Sequence, residues 1–157
     1  MDSQSQAWDS AHWEFTLVFE DLRDEDLWRR AHPSLLSVGE ITAHVIYGLV
    51  DHASTVNPAA QVRSSLKRDE SRYYLTAVDT PLKLALTVKE LEAEFVRVQK
   101  EVKAALHASG LPREAPLAKG PGNNMGELVD YMVFHVAYHT GQAFSVRHLM
   151  GHRTNDN

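Results

Sequence analysis

Apolar positions recur every three or four residues along most of this chain, and no stretch alternates in the manner of a strand. In the first segment Trp8, His12, Phe15, Phe19 and Leu22 step by four, three, four and three, the narrow seam that helix bundles bury. Asp24-Glu25-Asp26 interrupts that seam, and Leu27 and Trp28 begin a short turn that stops before Pro33. Ser37-Val38-Gly39-Glu40 has the form of a capping box, with Ser37 as N-cap and Glu40 reaching back. A second helix is therefore predicted from about Val38 to about Ala53, with Ile41, His44, Val45, Gly48, Leu49 and His52 facing inward.

Regularity is lost between Ser54 and Thr80, where Pro58, Ser64-Ser65, the charged run Lys67-Arg68-Asp69-Glu70 and the Thr80-Pro81 step suit a long connection. Connections of that length are often functional, and this one is the candidate lid. Thr87-Val88-Lys89-Glu90 repeats the capping box and predicts a third helix from Val88 to Ala108, striped by Leu91, Phe95, Val98, Val102 and Leu106 and stopped by Gly110 and Pro112. Asn124 and Glu127 cap a fourth helix that runs to about Met150 and closes on Gly151. The pattern predicts an all-α fold, a four-helix bundle forming one domain over residues 1–157, with a long irregular connection between its second and third helices.

Composition narrows the function classes. A formal net charge of −5 with no concentrated Lys/Arg stripe argues against nucleic acid as a partner. Arg29-Arg30 and Lys67-Arg68 stand beside acidic residues and read as solvated helix ends. The absence of cysteine removes disulfides, thiolate metal sites and a cysteine nucleophile together. No basic segment followed by an apolar run opens the chain, and no apolar run approaches the roughly 18 residues of a membrane helix. The expectation is a soluble, cytoplasmic protein with a small-molecule substrate.

The candidate chemistry lies in the fourth helix. His135 and His139 are one turn apart, so their imidazoles point the same way from a segment otherwise built for burial. Two such rings can offer nitrogens to one metal ion, or each can bond a backbone carbonyl inside a core. A third candidate ligand, His44, lies about two turns into the second helix and reaches the pair if the second and fourth helices are neighbours.

Laid out this way, the chain resembles the DinB/YfiT-like superfamily of metalloenzymes. The residues that carry the resemblance are Leu27-Trp28-Arg29-Arg30 through Pro33, then Ser37-Val38-Gly39-Glu40-Ile41 leading to His44, and finally His135-x-x-x-His139-x-Gly141-Gln142 with Arg147 and Gly151. The resemblance implies that His44, His135 and His139 hold one divalent metal ion, zinc or nickel, with open positions. It also implies a homodimer and, for some members, a low-molecular-weight thiol such as bacillithiol or mycothiol as cosubstrate.

Three neutral imidazoles would leave such an ion its full charge as a Lewis acid, able to lower the pKa of a bound water from 15.7 to about 7 or to favour a thiolate. Thiol transfer to an electrophile is the leading expectation, and any sulfur must then come from outside the chain. The alternatives are a metal-dependent hydrolase, a non-catalytic stress-response protein binding a metal or small ligand, and a structural dimer whose histidines are packing remnants; aromatic residues on more than one face, such as Trp13 and Trp28, give a dimer physical support. Gln142 can orient a ligand imidazole or make an interhelical hydrogen bond. His12 can be a core histidine, a fourth ligand or an acid–base group. Gly141 leaves room for a neighbouring helix or ligand, and Tyr47 and Tyr138 read as packing residues. His52 lies too far along its helix to share the ion, and His32, His107, His148 and His152 read as exposed.

Overall fold

Capping residues set where each of the three longest helices starts. The computed structural model describes residues 3–67 and 80–153. In it, α1 spans Ser3–Thr16, a one-turn α2 spans Asp24–Leu27, α3 spans Val38–Val56, α4 spans Val88–Ala108 and α5 spans Met125–Leu149. Ser37 accepts from the Glu40 amide and Thr87 from the Glu90 amide, each inside a complete capping box, and Asn124 accepts from the Glu127 amide. The first seam is buried from Trp8 to Leu22 but is not one helix: α1 passes into a 3-10 turn at Leu17–Phe19, and Asp21 adopts φ 54°. Among the described residues there is no strand, only an isolated bridge pairing Pro116 with Asn124. No described helix is long and apolar enough to cross a membrane.

Hydrogen bonds at both ends of each helix pair give the topology. Gln4 of α1 donates to Gly126 O at the start of α5, while Arg147 near the end of α5 donates to Leu17 O, so α1 and α5 run parallel. Asn57, just past α3, donates to Ala105 O near the end of α4, and Glu40 at the start of α3 accepts from Leu82 N just before α4. These two helices are also parallel. Against α5, however, α3 is antiparallel, since His52 meets Tyr131 and His44 meets His139. The order is up, down, down, up, and the connection from Asn57 to Thr87 has to return the length of the bundle. Its described parts lie beside α4, where Ser64 and Ser65 bond Glu94 and Arg63 O accepts from Arg97. Of the lid expected over Ser54–Thr80, residues 54–56 end α3 and residues 68–79 lie outside the described residues.

The start of α3 is tied from three sides. Glu40 is fully buried; its carboxylate accepts from Arg30 Nη2 at 2.6 Å, Ser37 N at 2.7 Å and Leu82 N at 2.9 Å. Burial alone would raise its pKa, and the bonds from Arg30, Leu82 and Ser37 outweigh burial and hold it below the ordinary value. Arg30 is therefore not a solvated helix end, because its guanidinium is buried against Glu40. Trp28 is likewise no surface aromatic. It is 7% exposed, donates to Leu86 O, and lies over Gly39, where a Cβ would stand 2.5 Å from its ring. Trp13, at 61% exposed, keeps its surface position. His152 also differs from expectation, folding back to bond Asp26.

Breaking the buried pair from one side would leave the Arg30 charge uncompensated, so Glu40→Ala should lose about 3–5 kcal/mol of stability. Arg113→Ala, which removes a surface pair at 3.5 Å, should lose no more than about 1 kcal/mol. Urea midpoints of the two variants measure both, and equal losses would remove the Arg30–Glu40 pair from this role.

Candidate metal centre

The antiparallel packing of α3 on α5 brings His44, His135 and His139 together, and all three rings are buried. His135 and His139 follow from one-turn spacing on α5, and their ring centroids lie 4.5 Å apart. From α3, the His44 ring stands 4.9 Å from His135 and 4.7 Å from His139, edge to face with both. Its Nε2 is 3.0 Å from Nε2 of His135. One nitrogen from each residue lies within 4.8 Å of the other two. A tetrahedral ion with imidazole bonds of about 2.0–2.1 Å spaces its donors roughly 3.3 Å apart, so small ring rotations bring this set to fit.

Electrostatics favour the donor form. Burial, with the neighbouring His139 and His135 rings, pushes the His44 pKa down to about 3. Burial and His139 push His135 down to about 4. His139 is also lowered by burial, partly offset by its hydrogen bond to Gln142. All three are neutral at pH 7, as ligands must be. The group contains no carboxylate among the described residues.

Neighbouring residues shape the site. A Cβ at Gly48, one turn beyond His44, would stand 3.1 Å from Cε1 of His135, so glycine gives that ring its place. Tyr131 stacks on His135 at 5.7 Å, and His52 stands edge-on to Tyr131 at 5.6 Å without joining the cluster. Gln142 Oε1 lies 2.7 Å from His139 Nδ1, a contact within α5 that orients a candidate ligand. A carbonyl oxygen only accepts, so Nδ1 is the protonated nitrogen and Nε2 is left as the donor to a metal.

His12 takes the core role that its seam position allowed: it stacks between Trp8 at 4.2 Å and Phe95 at 5.8 Å, where its face of α1 meets α4, and it is not one of the three clustered histidines. Gly141 is exposed, with nothing near the space a Cβ would fill. Tyr138 is not packed in the core, being 53% exposed with its hydroxyl accepting from Gln142. Helical spacing places Tyr138 and Gln142 one turn apart, and that signal was available in the sequence.

A family model described as the DinB superfamily matches residues 7–143. A crystal structure of a conserved protein from Enterococcus faecalis is similar in fold, with a TM-score of 0.55 at 18% identity, covering 97% of this chain and 99% of that one. No curated protein matches the chain.

His12 gives the fold an acid limit apart from the cluster. Burial holds its pKa down to about 4, against a hydrogen bond with Trp8 O that raises it, and its Nε2 is buried without a hydrogen-bond partner. In the unfolded chain the ring titrates near 6.5, so the unfolded state takes up the proton first. The associated stability is complete above that value and is lost as pH falls toward 4, by about 3 kcal/mol at most. Urea melts of metal-free protein between pH 7 and 4.5 should show a shallower decline for His12→Leu than for wild type. Parallel curves would show that His12 is not the source.

Proposed function

The chain belongs to the DinB superfamily, and from that premise we propose that it is a metal-dependent enzyme whose His44, His135 and His139 hold one zinc or nickel ion for the transfer of a small thiol to an electrophile. The observation that carries this reading is the convergence of three buried, neutral imidazoles from two helices. A bound divalent ion supplies Lewis acidity, favouring the thiolate of a cosubstrate over its thiol. The protein supplies the rest. His44 and His135 present nitrogens across the α3–α5 contact, and His139 is held by Gln142.

Chain chemistry favours transfer over hydrolysis. Hydrolysis gains from a carboxylate base beside the attacking water, and the acidic side chain one turn before His44 is Glu40. Both of its oxygens are committed to Arg30, Ser37 and Leu82. With no cysteine in the chain, transfer depends wholly on added thiol.

Metal bound only by the folded state should stabilise it by about 2.7 kcal/mol at a hundredfold excess over Kd. A chelator should therefore lower the melting temperature of loaded wild type and leave His139→Ala unchanged. Equal sensitivity in both proteins would remove the site from this reading. For the reaction, loaded protein is offered several low-molecular-weight thiols with generic electrophiles, and loss of free thiol is followed. Wild type should exceed His135→Ala; equal rates with every thiol would remove transfer and leave a metal-binding protein.

A further inference from the structure

Apart from the histidine cluster, a groove opens where the start of α1, the end of α4 and the start of α5 meet. Each helix contributes residues one turn apart: Gln4 and Trp8 from α1, Lys103 and His107 from α4, Met125 and Val129 from α5. Leu106 and Leu111 extend the apolar wall, and the charged side chains in the lining are Lys103 and Arg113, both cations. The groove offers about 190 Å³. Val129 precedes His135 by six residues, about 9 Å along α5, so the groove and the cluster occupy different levels of that helix.

The walls are fixed by contacts of their own. Trp8 is buried, its indole N–H donates to Gln99 Oε1 at 3.3 Å, and its ring stacks on His12. The loop that carries Leu111 and Arg113 is tied to α5, because Gly126 N donates to Arg113 O at 2.8 Å and Met125 N to Ala115 O at 2.9 Å. A Cβ at Gly126 would stand 3.3 Å from Arg113 Nε, so glycine lets that side chain lie against the helix.

We propose that this groove binds a compact aromatic monocarboxylate of benzoate size, its ring against the apolar wall and its carboxylate at Lys103 and Arg113. Volume sets the body of the ligand, since a protein cavity of about 150 Å³ accepts benzene. An aromatic ring suits the Met125 thioether and the Trp8 indole. Charge sets the head group. Lys103 and Arg113 have outer partners in Asp9 at 2.5 Å and Asp130 at 3.5 Å, and neither aspartate lines the groove. An ammonium has three N–H donors and a guanidinium five, so each cation can hold its aspartate and a ligand oxygen together. The Arg113–Asp130 contact is long and exposed, and sharing it costs little.

The test titrates chelator-treated full-length protein with benzoate, so that no metal-bound carboxylate is counted, and follows backbone amide and indole N–H shifts by NMR. Saturable shifts should centre on Trp8, Leu106, Leu111, Met125 and Val129. Arg113→Gln and Lys103→Gln, both checked for folding by circular dichroism, should each weaken binding about threefold to tenfold, and the double variant should weaken it further. Benzamide keeps the ring without the charge and acetate keeps the charge without the ring; both should bind more weakly than benzoate. Absence of saturation at millimolar benzoate, shifts centred on His44, His135 and His139 instead, or equal binding of benzamide or acetate would each overturn the proposal. So would unchanged affinity in the double variant.

Discussion

Three imidazoles occupy one level of the α3–α5 interface, and much of the neighbouring structure accommodates them. Buried polar rings must be uncharged or paired, and here burial holds all three neutral, helped at His44 and His135 by the neighbouring rings. Space for them comes from Gly48 and orientation from Gln142. The same properties that make the cluster tolerable in a core, neutrality and fixed rings, are those a cation needs in its ligands.

Bringing the cluster together depends on the register of α3, and that register is fixed at the helix start. Glu40 joins the capping box, the Arg30 segment and the segment before α4 in one buried junction. His44 is one turn further along the same helix, so movement at this junction would be passed on to the cluster. Trp28 over Gly39 adds a second, apolar tie at the same level.

Local features were legible in the sequence. The caps at Ser37, Thr87 and Asn124 involve residues three apart, and the His135–His139 pair is a matter of helical spacing. His44 could be named because a metal site needs a third ligand. What stayed hidden depends on partners distant in the chain. Arg29-Arg30 beside acidic residues looks solvated until Glu40 is placed against Arg30. The seam residue His12 gives no sign of whether its face meets α4 or the cluster. The parallel course of α3 and α4 cannot be read from periodicity at all, nor can the seating of residues 63–65 of the irregular connection beside α4.

The up, down, down, up order also bears on how the molecule comes to exist. Its helix pairs join segments far apart in the chain, and His44 meets His135 across a separation of 91 residues. Such a topology has a high contact order for a helical protein, and loop closure must precede most of the contacts that reward it. During synthesis α3 is complete long before α5 leaves the ribosome, so its apolar face and His44 wait without their partner. The three-histidine cluster is therefore a late product of folding, and an ion offered early would meet only separate histidines on an unfinished chain.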